Sequence, residues 1–424
     1  MSPDRLLAVL IGIAIGGGGI IQGLHWKNTS GSKSGDSDRA RITELENEIE
    51  ILRRENESLR SLAQGGGDLA VPEPLVARVE KELALEFRSS PVVHRVPREV
   101  LAGQIAANLD SRHGATQLDQ RETAYKMIGW LRPNDSLRGQ LVASRSVGAR
   151  AWFDDLSGEA WVTADYDPVS IPDQAALLRV LVRILLHQHV PAHPGYPGDD
   201  PWRAHEALHA GAAAGAEARY YAANARAIGF VPMNDEANEG AELLLSLPPF
   251  LQGIATFAAI DGKGFTDSQY VKGSEDLLAL FRDPPTATRR ILYPGLTDEL
   301  PPPELPENPA GLLLRDSAGA LGIRLLLDPL EDPALSRRCA RAWQGDTWNL
   351  IETGEDARLD WSLRFDAPEA AAEFLAAARE LAAITAGLSE APPGDAPITT
   401  FEDRIIRFGH PEPRVVVISN EPAP

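Results

Sequence analysis

The sequence predicts an α+β protein, and three observations carry that expectation. Between residues 72 and 292, segment after segment repeats its apolar positions at 3–4 spacing, the period of a helix. One β-hairpin interrupts them, with strands on either side of "DDLSGE" at 154–159. Beyond a Pro-rich stretch, short alternating segments flank one long Ala-rich helix, the pattern of a small antiparallel sheet with a covering helix.

Composition bounds the rest. At 424 residues the chain is long enough for two domains and accessory segments. Lys+Arg total 41 against 61 Asp+Glu, a formal charge of -20. Such a surface repels phosphate backbones and excludes nucleic acid as an expected partner. The single cysteine, Cys339, rules out an internal disulfide or a cysteine metal cluster.

Residues 1–27 form the first segment. Leu6 to Trp26 is apolar apart from Gln22 and His25 and carries no charge, which is long enough to span a bilayer. "GIAIG" at 12–16 has the small-residue spacing that lets membrane helices approach closely. A cleaved signal peptide is the other reading of this stretch. Lys27, Lys33, Arg39 and Arg41 follow the span, and that count favours a cytoplasmic bulk, although large domains translocate despite such charges.

Residues 28–41 read as a polar tether. Over 42–64 the chain carries a heptad, with Ile42, Ile49 and Asn56 at a and Leu45, Leu52 and Leu59 at d. β-branched a positions with Leu at d favour a parallel pair, and one Asn at a sets register. Across such a pair Arg41 meets Glu46, Glu48 meets Arg53, and Glu55 meets Arg60, all attractive. Ile42–Ala63 is therefore an expected parallel homodimeric coiled coil.

The first globular domain is expected over 72–296. Helices are predicted for "PEPLVARVEKELALEF", "VPREVLAGQIAANLDSR" and "QLDQRETAYKMIGWLRP", followed by the hairpin "VGARAWFDDLSGEAWVTA". A pair of helices comes next, "DQAALLRVLVRILLHQH" and "WRAHEALHAGAAAGAEARYYAANARAIGF", joined by a Pro/Gly loop. The small residues of "AGAAAGA" are expected to let these two helices approach closely. "GDD" at 198–200 and "NDE" at 234–236 read as caps and loops, and His187, His189 and His193 as surface or capping histidines. Two further helical stretches run through 237–262 and 274–295.

A Pro-rich linker is expected at 297–311 and a second domain at 312–424. In that domain helices are predicted around Leu312–Leu327 and Pro333–Trp343. Strands follow at "TWNLIE" and "RLDWSLRFD", then the helix "APEAAAEFLAAARELAAITAGL" and the strands "DRIIRFG" and "RVVVISN", joined by "HPEP".

Several stretches from Arg121 to Val417 resemble a bacterial group of gluzincin-like zinc metallopeptidases. They are "TAYKMIGWLRPNDSLR", "ARAWFDDLSGEAWV", "SLPPFLQGIATFAAIDGKGF", "LFRDPPTATRRILYPG" and "AWQGDTWNLIE", in that order. The resemblance implies a mostly helical zincin-like domain and an exported, extracytoplasmic globular part. The family's metal helix reads roughly "aHELtHALqDQHf", in which two His bind zinc and the Glu activates water. Aligned on Gln188-His189, the two His positions fall on Arg179 and Arg183, and the Glu position on Val180. The third ligand falls on Ala210, or on Ala214 in a shifted register. None of these side chains offers a lone pair to zinc. On this alignment there is no catalytic residue, no metal ligand and no cofactor.

One sequence feature opposes that reading. "HEALH" at 205–209 is a literal H-E-x-x-H, so His205, Glu206 and His209 form an alternative zinc site. It lies on the second helix, where the family keeps only its third ligand. A further donor would come from Glu236 or Glu239. If Ala210 or Ala214 marks the cleft face, His205 and His209 point roughly 100–180° away from it. The expected function is therefore a membrane-anchored, catalytically inactive metallopeptidase-like protein that binds or scaffolds a peptide or envelope protein. An active zinc endopeptidase and a structural subunit of an envelope complex are the alternatives. Arg179 and Arg183 are expected to be neutralised by acids on the facing helix.

Overall fold

The computed structural model describes residues 67–190, 198–228, 235–296, 305, 309–400 and 403–423. The expected span, tether and coiled coil at 1–64 lie outside the described residues, as do His193 and most of the expected linker. The fold is α+β. Among the described residues no helix is long and apolar enough to cross a membrane.

The helical part opens with strand β1 (Gly67–Asp68), helix α1 (Glu73–Leu83) and strand β2 (His94–Val96), followed by α2 (Arg98–His113) and α3 (Ala115–Ile128). Helix α4 (Leu137–Ser146) starts where the Ser136 hydroxyl accepts from the Gly139 N–H. Strands β3 (Ala151–Phe153) and β4 (Ala160–Thr163) form the expected hairpin, with Trp152 and Trp161 opposed and stacked at 5.4 Å. The hairpin belongs to a four-stranded sheet of order β1-β2-β4-β3, in which β2 runs parallel to β4. Strands as short as β1 and β2 leave little periodic signal, and the sequence did not suggest them.

The central pair is α5 (Ile171–His189) and α6 (Asp199–Ile228). Ser170 caps α5 by accepting from the Asp173 N–H, and Pro172 sits in its first turn, where a missing N–H is harmless. Asp173 pairs with Arg150, tying the hairpin to the start of α5. Helix α5 buries Leu177, Leu178, Leu181, Val182, Leu185 and Leu186, so it is wrapped by protein on most sides.

After α6 come α7 (Asp235–Ser246), α8 (Pro249–Phe257), a π-helical turn (Ala258–Gly262), α9 (Lys263–Tyr270), α10 (Ser274–Arg282) and α11 (Thr288–Leu292). The small residues of α6 serve a neighbour the sequence did not indicate. Gly211 lies against Gly262 and Lys263, and Gly215 against Asp267. It is the turn into α9 that these glycines let in close. A Cβ on Gly211 would overlap the Gly262 carbonyl and come within 2.7 Å of the Lys263 nitrogen, and both are backbone atoms with no rotamer to change. Gly211→Ala is therefore expected to lower stability by about 1–3 kcal/mol through overpacking, measured by urea unfolding.

The C-terminal part begins at strand β5 (Leu312–Asp316), then α12 (Gly319–Leu327), a 3-10 turn (Asp328–Leu330) and α13 (Pro333–Ala342). This corrects the expected single helix over 312–327. "LLLRD" pairs antiparallel with strand β6 (Trp343–Thr353), and the helix starts only at Gly319. A short apolar run fits a buried strand or a buried helix equally well by period.

Strand β7 (Asp356–Phe365), helix α14 (Pro368–Thr385), and strands β8 (Ile398–Thr399), β9 (Arg404–Glu412) and β10 (Val415–Pro422) complete the fold. The six-stranded sheet has order β5-β6-β7-β10-β9-β8, every pairing antiparallel. Helix α14 covers it as expected, with Phe374 against Phe365 and Trp361. Strand β9 continues through His410–Glu412, so the turn falls after the "HPE" that was expected to form it.

One hydrophobic cluster runs through both parts. Trp130 after α3 stacks on Phe250 of α8 at 4.2 Å and meets Trp361 of β7 edge-on at 6.3 Å. Leu325 of α12 fits against Gly253 of α8. The helical part and the C-terminal sheet thus share a core.

Candidate functional site: two arginines between the central helices

Helices α5 and α6 run antiparallel, and α6 presents Glu206, Ala210, Ala213, Ala214 and Glu217 at 3–4 spacing. The two acids at the ends of this row meet the two arginines of α5. Arg183 donates from Nη1 and Nη2 to the two Glu206 oxygens, each at 3.0 Å, a bidentate fork. Arg179 Nε lies 3.4 Å from Glu217 Oε2. The pairing expected from the helical period is present. Val180 and Ala214 are buried, and Ala210 is half-buried.

The two pairs differ in strength. Arg183 also lies over the Phe153 ring at 5.5 Å. Burial pushes the Glu206 carboxyl up, but Arg183, then Arg145 and Arg112, bring it to a net value below the ordinary one. Glu206 is therefore a charged, occupied carboxylate. Glu217 is the opposite case: burial pushes its carboxyl up to about 8, and the half-exposed Arg179 offsets this only in part.

A measurable pH dependence follows. The folded pKa of Glu217 is raised, so its contribution to stability is full below about 4.5 and is lost as pH rises towards about 8. Glu217→Gln removes that titration. The variant is expected to lose less melting temperature than the parent between pH 5 and 8, on the order of several degrees less. Parallel melting curves for the two proteins would contradict the assignment.

The His205 and His209 rings lie 4.2 Å apart, tilted by 37°, and His209 packs edge-on against Phe281 of α10 at 5.0 Å. Both are buried. Burial lowers the His205 pKa to about 4 and that of His209 well below its ordinary value, so both rings are neutral. Zinc needs three converging protein donors, an open position and a free carboxylate base. Among the described residues no three His, Cys, Asp or Glu side chains converge in this way. Glu206 is held by Arg183, whose fixed charge repels a dication. The side chains of Glu236 and Glu239 lie outside the described residues. The described residues do not fit the ion.

Two of the histidines around the loop, His187 and His189, have local partners. His187 meets Phe153 edge-on at 5.6 Å, and burial lowers its pKa. His189 Nε2 lies 2.8 Å from the Glu86 carbonyl oxygen.

A second polar cluster was not visible in the sequence. "GDD" is more than a cap: Asp199 and Asp200 are buried in the first turn of α6 and hold tertiary partners. Arg121 of α3 donates to Asp199 at 3.2 Å and to Asp316 of β5 at 2.5 Å. Tyr125 donates to Asp199, and Arg203 donates to Tyr125 at 2.9 Å and to Asp199 at 3.2 Å. The Asp199 N–H donates to Asp316 at 2.7 Å. Asp200 accepts from the hydroxyl and N–H of Thr288, whose hydroxyl oxygen accepts from the Leu321 N–H at 3.0 Å. These residues join the helical part to the C-terminal sheet. Burial, then the Asp199 charge, pushes Asp316 up to about 7, while Arg121 and two backbone N–H groups pull the other way.

With the geometry described, comparison with known proteins adds one match. Residues 312–422, from β5 to the end of β10, match the family model described as "Domain of unknown function (DUF8575)". No curated protein matches the chain. No solved structure matches it either.

Proposed function

We propose that the chain is a membrane-anchored, dimeric, metallopeptidase-like protein that does no hydrolysis and serves in binding or scaffolding at the cell envelope. The observation that carries this reading is the Arg183–Glu206 pair. In the alternative zinc site Glu206 is the only carboxylate beside His205 and would have to activate water. A base needs a free lone pair and a pKa near working pH, and Glu206 has both oxygens on a guanidinium. On the gluzincin-like alignment the metal positions are Arg179, Arg183 and Ala210 or Ala214, none able to ligate, and the base position is Val180. The cofactor expectation is none, and the partners are a second copy through Ile42–Ala63, the membrane, and a peptide or envelope protein. The net charge of -20 supports leaving nucleic acid out.

Metal analysis of the purified full chain in detergent tests the central point. Zinc well below one ion per chain, unchanged by His209→Ala, is expected. Stoichiometric zinc that disappears in that variant would establish the peptidase alternative instead. Deleting Ile42–Ala63 is expected to turn the dimer into a monomer by light scattering, and a deletion variant that stays dimeric refutes the coiled-coil assignment.

A further inference from the structure

We propose that the cavity lined by α2, α3, α4, α6 and α8 binds the carboxylate group of a small organic acid, with Arg145 as its ion-pair partner. The inference does not rest on the scaffold reading and involves a different set of residues.

The first argument is unmet donors. The lining includes Arg121, Arg145, Trp202 and Arg203, and Asp199, whose carboxylate is already held by Arg121, Arg203 and Tyr125. Arg121 Nη1, Arg203 Nε and Trp202 Nε1 are buried and meet no acceptor among the described residues. Arg121 and Arg203 are 7% and 8% exposed, so solvent does not reach them freely. An unsatisfied buried donor costs about 1–3 kcal/mol, and folded proteins rarely leave several around one space. All three groups are N–H donors. An acceptor-only ligand answers all of them, and an ionised carboxylate is such a group.

The second argument is charge. Arg121 and Arg203 share Asp199 and Asp316. Arg145 has no carboxylate within ion-pair distance among the described residues; it lies over the Trp202 ring at 5.8 Å, and Glu206 and Asp155 act on it from further away. The neighbouring acids are already engaged, Glu206 by Arg183 and Asp155 by Arg112. Three guanidiniums face two aspartates, so the site is at least one negative charge short of neutral. That deficit stands out in a chain whose overall charge is -20.

The third argument is size and wall chemistry. The space is ≈ 20 Å³, room for about one to two water-sized atoms. A ligand therefore enters with its carboxylate oxygens alone, the rest of it lying towards the open side of the cavity. Leu141, Leu251 and Ile254 complete the wall, so the part of the ligand beyond the carboxylate meets hydrocarbon.

Thermal unfolding of the full chain with added propionate tests this, with chloride and inorganic phosphate at matched ionic strength as controls. A saturable rise in melting temperature is expected for propionate above either control. Arg145→Gln is expected to fold, because it removes a guanidinium that has no ion partner, and to weaken propionate binding at least tenfold. Ile254→Phe narrows the cavity while leaving the charges, and is expected to lose the propionate response as well. The proposal is overturned by no saturable propionate shift, by an unchanged shift in Arg145→Gln, or by chloride or phosphate matching propionate.

Discussion

Arg121→Ala is expected to destabilise the protein by about 3–5 kcal/mol, the scale for removing one partner of a buried ionic network. Among the described residues, Arg121 is the only cation that touches both Asp199 and Asp316. Its removal leaves two carboxylates buried side by side, with Arg203 able to serve Asp199 alone. The effect reaches beyond α3, because the same contact fastens β5 to the first turn of α6. Urea unfolding should show the loss, and limited proteolysis should show faster cleavage between the helical part and the C-terminal sheet. A loss under 1 kcal/mol would mean that Arg203 or water replaces the guanidinium.

The network also sets a pH signature. Asp316 is raised to about 7, so what it contributes to stability is present at low pH and lost as pH rises through 7. Asp199 is shifted the other way: burial opposes its charge, but Arg121 and Arg203 hold it well below the usual range. Its contribution is present above about 3.8 and lost as the solution becomes strongly acidic. The two together favour the state with one proton on Asp316 and none on Asp199. Asp316→Asn mimics that proton and is expected to flatten the stability profile between pH 5 and 8.

The second large effect is expected at Asp346. Its carboxylate is buried and accepts four N–H groups: Ala318 at 2.8 Å, Gly319 at 3.0 Å, Trp343 Nε1 at 3.0 Å and Trp361 Nε1 at 2.8 Å. The first two are orphan donors at the start of α12, whose own cap residue, Ala318, has no side-chain acceptor. Asp346, reached across from β6, acts as that cap, and negative charge at a helix N-terminus is favourable.

Asp346→Ala strands all four donors and is expected to cost on the order of 3–5 kcal/mol by chemical unfolding. Asp346→Asn is expected to rescue little. Each oxygen takes two of the bonds, and an amide would turn N–H donors towards two others. A full rescue by asparagine would show that shape, rather than acceptor count, is what the site requires.

Helix periods, the hairpin around "DDLSGE", the sheet-and-helix order of the C-terminal part and the Arg–Glu pairing across α5 and α6 were legible because each depends on residues a few positions apart. Arg179, Arg183, Glu206 and Glu217 lie on predictable faces, so their meeting needed only the assumption that the two helices pack. The misreadings have equally local causes. Leu312–Leu314 fits either a strand or a helix by period, and only its pairing with β6 decides. The glycines of α6 signalled a close neighbour without saying which, and it proved to be Gly262.

The acidic charge balance and the segment order are properties of the sequence by itself. Each is read from residue type or from a repeat shorter than two helical turns. The ionic junction was decided only by the path of the chain through space. Arg121 and Asp316 are 195 positions apart, and nothing near either one marks it for the other. Arg145 looks like any surface arginine in the sequence; its position beside Trp202 and a small cavity, with no carboxylate within ion-pair distance among the described residues, is a fact of packing. A buried charge takes its meaning from what surrounds it, and those surroundings come from five different helices and a strand.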